Sequence, residues 1–295
     1  MFKRTIFVAG ATGDTGGAAT NVLLAAGEQV RTLVRVEDAR SDRLKARGVQ
    51  VMVGDLLNLN DGARALDGIF SAYFVFPIES GGIQASAYFA QAARETGVSA
   101  IVNMSQISAR RAAASHAARD HWVSEQVFNW SGIPVTHLRP TFFAQWLIYP
   151  SQVATIKKDG VLRLPFGDGR HAPIAAEDQG RVIAAVLRDP TPHAGKVYPL
   201  YGPVEMNHYE IAEEMTKALG RPVTYQPIDL EMFKKRLDTD PKFSTTFAQH
   251  LLAVAVDYQN GIFAGTNGLV EELSGEPPLS VEAFIRTHAA KFSDS

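Results

Sequence analysis

The stretch Val8-Ala9-Gly10-Ala11-Thr12-Gly13-Asp14-Thr15-Gly16-Gly17 decides the fold. It follows the apolar run Thr5–Phe7 and precedes Ala18–Ala26, which has helical spacing. Gly10, Gly13 and Gly16 fall at every third position. Glycine costs backbone entropy, so it is expected where a side chain would be in the way. Two explanations compete. The loop lets an anion approach the backbone, or it is a tight turn where a helix packs closely on a strand.

Its surroundings bear on the choice. Short β-branched or aromatic runs recur at Thr5–Ala9, Val30–Val34, Val49–Val53, Phe70–Phe76, Ile101–Met104 and Val135–Leu138. Between them lie helical stretches at Ala18–Ala26, Ala39–Arg47, Gly62–Leu66, Ile83–Thr96 and His116–Trp130, several stopped by a glycine. Such alternation predicts a doubly wound α/β fold, a Rossmann-type parallel sheet covered on both faces. After Pro140 the rhythm breaks at Phe166–Gly169, Pro190–Pro192 and Gly275–Pro278, which predicts a smaller, less regular C-terminal substrate region. The expected division is a dinucleotide-binding domain at 1–150 with about 172–200, and a substrate region at about 151–171 and 201–295.

Composition narrows the function classes. With 295 residues and 46% apolar content the chain can bury a large core. The net charge of −2 comes from 29 basic and 31 acidic residues without a Lys/Arg-rich tract, so no nucleic-acid partner is expected. The first apolar run is too short for a signal peptide or a membrane span, which predicts a cytoplasmic location without a membrane partner. Cysteine is absent, which removes disulfides and thiol chemistry. The histidines lack metal-ligand spacing and no nucleophile-elbow sequence is present, so neither a metal nor acyl transfer is expected.

In this context the glycine loop reads as a phosphate cradle. Three glycines after the first strand and into the first helix let a pyrophosphate reach unpaired N–H groups at the positive end of the helix dipole. Thr12, Asp14 and Thr15 would surround the phosphates or cap the helix. Dinucleotide folds that bind NAD place an acid roughly 20 residues past the glycines, for the ribose hydroxyls. Here Arg35 stands 19 positions after Gly16, and Glu37 and Asp38 follow beyond the strand end. A guanidinium suits a 2′-phosphate dianion, so NADP(H) is the expected cofactor. The plain alternative is a solvated arginine at a strand end.

The sequence resembles the NmrA-like family, atypical short-chain dehydrogenase/reductases with a Gly-x-x-Gly-x-x-Gly loop. The matching pieces are Gly10–Gly16, Val34–Arg35, Gly54–Leu56, Ser131–Phe143, Ala218–Val223 and Glu272–Phe284. The resemblance implies that Asp55 and Leu56 contact the adenine. It further implies that Phe76 and Pro77 line the cofactor with Met104, and that Pro140, Thr141, Phe142 and Phe143 lie at the nicotinamide end. Typical members of the wider superfamily carry Tyr-x-x-x-Lys; here Ala117 aligns with the tyrosine and His121 with the lysine. Ser105 still matches the family's serine. The family then offers two functions: a flavin-free NADPH reductase of quinones or extended aromatic dyes, or a redox sensor that binds the dinucleotide and regulates a protein partner.

Chemistry favours the reductase. A plain ketone needs a proton donor at the developing alkoxide, whereas a quinone yields a delocalised hydroquinone anion that water can protonate. Proximity then does most of the catalysis. His121 and Ser105 are the candidate catalytic residues: His121 would donate a hydrogen bond or a proton, or hold the ribose. The plain alternatives are a histidine satisfied by Asp120 or Glu125 and a serine that caps the strand end. Phe143, Trp146 and Tyr149, with Phe74, Phe76 and Phe142 nearby, would form a wall for a flat ring system, although such spacing also suits an ordinary core. His171, Asp178 and Arg181 are expected to hydrogen-bond between the two regions. The expected partner is a small aromatic or quinone-like substrate, with a homodimer as a candidate assembly.

Overall fold

The computed structural model describes residues 4–293. The first half alternates in order: β1 (Thr5–Val8), α1 (Asp14–Ala25), β2 (Gln29–Val34), α2 (Ala39–Ala46), β3 (Gln50–Val53) and α3 (Leu59–Leu66). It continues with β4 (Ser71–Phe74), α4 (Gly82–Glu95), β5 (Ala100–Met104), α5 (His116–Trp130) and β6 (Val135–Pro140). Then come α6 (Pro150–Asp159), β7 (Val161–Leu164), β8 (Arg170–His171), α7 (Ala176–Arg188), β9 (Val197–Leu200), β10 (Met206–Asn207) and α8 (His208–Leu219). The chain closes with β11 (Thr224–Pro227), α9 (Leu230–Thr239), α10 (Thr245–Gln259), α11 (Leu269–Ser274) and α12 (Val281–Thr287).

Seven strands form one parallel sheet in the order β3-β2-β1-β4-β5-β6-β9. The order reverses between β1 and β4, and the carboxyl ends of these strands leave a crevice there, where open α/β sheets take their ligands. β9 was not among the expected strands. It is a short edge strand between Gly195 and Gly202, whose alternation is broken by Pro199. Apolar side chains of α1, α7 and α11 cover one face of the sheet. Those of α3, α4 and α5 cover the other, where Phe7, Phe74, Phe89 and Phe128 interlock. A third core gathers Leu162, Met215, Val254, Tyr258 and Phe284 from the later elements. Two small sheets, β8 with β10 and β7 with β11, belong to this part of the molecule.

Helix α1 starts four residues earlier than its apolar spacing suggests. Gly13 takes the N-cap position with extended backbone, so Gly16 and Gly17 lie inside the helix. Asp14 in the first turn complements the positive end of the helix dipole. Among the described residues, no helix is long and apolar enough to cross a membrane.

Candidate functional site

A cleft of about 770 Å³ opens at the β1/β4 crevice. Of the residues expected at the site, Gly10, Thr12, Gly13, Asp14, Thr15, Arg35, Asp55, Leu56, Phe76, Pro77 and Phe143 line it. Gly10 has a φ of +62°, the turn that sends the chain from β1 toward the helix. Gly13 and Gly16 differ in why they carry no side chain. A Cβ on Gly16 would lie 2.4 Å from the Gly10 carbonyl oxygen and 2.6 Å from that of Ala9, so the helix could not seat on the strand. A Cβ on Gly13 would meet only the Gly10 oxygen at 3.4 Å, an ordinary contact. The protein's own packing accounts for Gly16; Gly13 keeps the cleft open. Beneath the loop the buried Thr15 hydroxyl pairs with Tyr73 Oη at 2.9 Å.

The far end of the cleft sets two arginines against two carboxylates, less simple than the sequence suggests. Arg35 faces Glu79 Oε1 at 3.5 Å, and both side chains are largely exposed (68% and 42%), so the pair is weak. Arg40 also lines the cleft, but its Nε and Nη2 donate to Asp38 Oδ2 at 2.9 and 2.7 Å. That side-chain bond, with the backbone N–H groups of Arg40 and Ser41, holds the Asp38 carboxyl down at about 2. Arg40 is thus compensated, while Arg35 can take a new anion. Sequence reasoning missed Arg40, Asp38 and Glu79. The Asp38-x-x-Ser41 capping box, present in both directions here, was a usable signal for the first two because it places a helix start just past Arg35. Glu79 has no local signal; only the chain reversal at the crevice brings it to β2.

Other expected residues lie off the cleft. Gly16 is in the packing contact just described. Met104 is buried in the core on the α1 face. Pro140 ends β6, where its carbonyl accepts from Ile107 N at 3.0 Å. The Thr141 hydroxyl donates to the Phe263 carbonyl at 3.0 Å. Phe142 turns away from the dinucleotide cleft, meeting Phe166, His171, Tyr258 and Phe263 edge to face. Its other side stacks on Trp146, with ring centres 5.1 Å apart. Trp146 leans on Tyr149, and Tyr149 Oη donates to Asp14 Oδ2 at 3.4 Å. Burial, with the Asp14 charge beside it, pushes the Tyr149 hydroxyl up to about 12. A continuous aromatic row therefore runs from the glycine loop to Phe142.

His121 and Ser105 lie behind the cleft. His121 lines a small polar cavity with Phe76, Pro77, Asn103, Asp120 and Ser124. Burial pushes its imidazole down to about 4, against the pull of the Glu125 carboxylate and of a hydrogen bond to the Met104 backbone. Glu125 is itself taken by Arg139, with bonds of 2.8 and 2.5 Å, and it is 3% exposed. It does not satisfy the histidine. The Ser105 hydroxyl is buried and makes no hydrogen bond among the described residues. Asp178 accepts from Leu279 N at 3.0 Å and pairs with Arg181, which reaches the Pro277 carbonyl, so α7 is tied to the chain before α12. His171 instead bonds the hydroxyl of Tyr258.

A glycine-loop crevice in a parallel sheet, with an arginine at the end of β2, defines a Rossmann-type, dinucleotide-binding fold. The chain belongs to the NmrA-like family, whose model matches residues 2–269. The NAD(P)H azoreductase of Xenophilus azovorans is 32% identical, covering 97% of this chain and 99% of the relative. A (4-alkanoyl-5-oxo-2,5-dihydrofuran-3-yl)methyl phosphate reductase of Streptomyces griseus is 30% identical, covering 98% and 99%. Among solved structures, the NADPH-dependent quinone oxidoreductase of Escherichia coli complexed with NADPH superposes with a TM-score of 0.84 at 26% identity, covering 96% of this chain and 99% of that one.

Proposed function

We propose that this NADPH-dependent oxidoreductase passes hydride to a quinone-like or conjugated aromatic carbonyl substrate. The observation that carries the proposal is the aromatic row Phe142–Trp146–Tyr149, which meets the dinucleotide cleft where Phe143 closes it and offers no acidic tyrosine. The residues present fit the cofactor, since the open space before Gly13 is room for a pyrophosphate that the protein does not fill. The loop and the N-terminus of α1 would hold the pyrophosphate, Arg35 the 2′-phosphate, and Asp55 and Leu56 the adenine. Phe76, Pro77 and Phe143 would hold the remainder. When bound, the reduced nicotinamide supplies a hydride.

The chain's own residues then orient and shield. Phe143 and Trp146 present flat apolar surface to a ring system and exclude water from it. With its pKa near 4, His121 is neutral at pH 7. With one ring N–H committed to the Met104 carbonyl, its other nitrogen is a lone-pair acceptor. We therefore assign His121 to positioning the end of β5 rather than to proton donation, and leave protonation of the hydroquinone anion to water. Ser105, with its unpaired hydroxyl, is the proposed hydrogen-bond donor to the substrate or the ribose.

Oxidation of NADPH followed against quinones, aromatic dyes and simple ketones tests the proposal. Turnover of quinones or dyes well above ketones is expected. Tight NADPH binding with no turnover on any of them would overturn it in favour of a dinucleotide sensor. His121→Ala should lower kcat by less than about 10²-fold and leave its pH profile between about 6 and 8 unchanged. A larger loss with a shifted profile would make the histidine the proton donor.

A further inference from the structure

A second cavity of about 50 Å³ lies at the Phe142–Trp146 end of the aromatic row. Sequence neighbours divide between it and the dinucleotide cleft: Phe143 lines the cleft, while Phe142 and Trp146 line the smaller cavity. By volume it holds a few water molecules, or one charged substituent of a larger molecule. Its aromatic and aliphatic lining includes Phe233 and Leu237, which stand with Arg236 at i, i+3 and i+4 on one face of α9. The polar lining is two guanidiniums, Arg163 and Arg236, with the Ser151 hydroxyl and the Gln152 amide. Among the described residues no carboxylate lines it. Arg163 comes from β7 and is compensated by Asp159 at 2.9 Å and by the Gln226 amide oxygen at 3.0 Å. Arg236 has no hydrogen bond or ion pair from its guanidinium among the described residues.

Resting on the reductase reading above, we infer that this cavity is a substrate subsite for an anionic substituent: the aromatic substrate carries a sulfonate, carboxylate or phosphate that Arg236 receives. Donors without a competing carboxylate select an anion over a cation or a neutral group, and a planar guanidinium takes two oxygens of such a group at once. Arg236 is itself exposed, so water screens part of its charge, and the apolar lining beside it supplies contact area for the ring that carries the anion. The Phe142–Trp146 stack sets the geometry. Rings lie along the aromatic row toward the cleft, and the charged group sits past Trp146 and away from the glycine loop.

Calorimetric binding of naphthalene-2-sulfonate and of 2-naphthol to the intact protein tests the subsite without needing turnover. The sulfonate should bind more tightly than the naphthol. Arg236→Gln should weaken the sulfonate about tenfold more than it weakens the naphthol, and Arg236→Lys should restore part of the difference. Equal weakening of both probes, no effect on either, or no binding of the sulfonate would overturn the inference. Kinetics with 1,4-naphthoquinone and its 2-sulfonate separate the two proposals. If neither quinone turns over while the sulfonate probe still depends on Arg236, the reductase reading fails and the anion subsite stands. If both turn over and the sulfonated one is indifferent to Arg236, the subsite fails alone.

Discussion

Gly13 and Gly16 lie three residues apart, at the cap and in the first turn of α1, yet only at Gly16 does the protein itself exclude a side chain. At Gly16 the neighbours are backbone oxygens of β1 and the loop, which cannot yield. At Gly13 the neighbour is open cleft. Gly13→Val should leave thermal stability close to that of the unmodified protein and abolish dinucleotide binding, whereas Gly16→Ala should lose both. Melting curves with and without NADPH read the two effects separately, and normal NADPH affinity in a folded Gly13→Val protein would make the loop a mere turn. Arg35 is argued at the same scale. Its pair with Glu79 is exposed and weak, so a 2′-phosphate displaces little on binding. A charge-assisted bond contributes about 1.5–3 kcal/mol, so Arg35→Ala should cost NADPH about tenfold or more in affinity while NADH changes little. Equal binding of the two dinucleotides to the unmodified protein would contradict this.

Helix α5 joins the site to the frame of the sheet. It presents His121 toward the end of β5 and, one turn later, Glu125 to Arg139 of β6. The ion pair is bidentate and its carboxylate is almost wholly buried. Its net contribution against an apolar pair is small, but breaking one side leaves a charge with no partner, at about 3–5 kcal/mol. Arg139→Met should therefore lower stability by that amount in chemical denaturation, and adding Glu125→Leu should recover much of it. A single Arg139→Met variant as stable as the parent would show that water reaches Glu125. The sequence offered Glu125 as a partner for His121, being one helical turn away. Arg139 is 14 positions from Glu125, and only the packing of α5 across β6 decides that the carboxylate turns to it.

Across the whole molecule, titration works against acid. Burial pushes His250 down to about 4, with His121 adding repulsion; burial also lowers His208 to about 3 and holds His171 well below its ordinary range. In the unfolded chain each binds a proton near pH 6.5, while the folded state refuses it, so stability falls as pH drops below about 6.5 and continues to fall to about pH 4. Each such histidine contributes up to about 1.4 kcal/mol per pH unit in that window. Asp120 and Asp178, which burial raises, have the opposite sign, but His121 and His137 are lowered as well, so two groups stand against five. The melting temperature should be level above about pH 7 and clearly lower at pH 5. His250→Gln, which can still bond Ser115, should reduce that slope. A melting temperature unchanged from pH 7.5 to 5 would mean these rings protonate freely in the fold.

The alternation of strands and helices, the glycine loop at the end of β1 and the arginine at the end of β2 were legible in the sequence because each is written within a few consecutive residues. Periodicity, glycine spacing and strand-end position are local properties of the chain. So is the replacement of the Tyr-x-x-x-Lys pair by Ala117 and His121. What only the tertiary structure decided concerns side-chain direction and distance between elements. Phe142 and Phe143 are neighbours in sequence but face two different cavities, because the chain leaves β6 extended and successive side chains point to opposite sides. Glu79 reaches Arg35 only through the reversal of strand order at the crevice. Arg163 and Arg236 line one cavity because α9, packed on α10, closes over the end of β7. No local rule encodes such meetings, since they are fixed by how whole elements stack and which apolar faces they must bury.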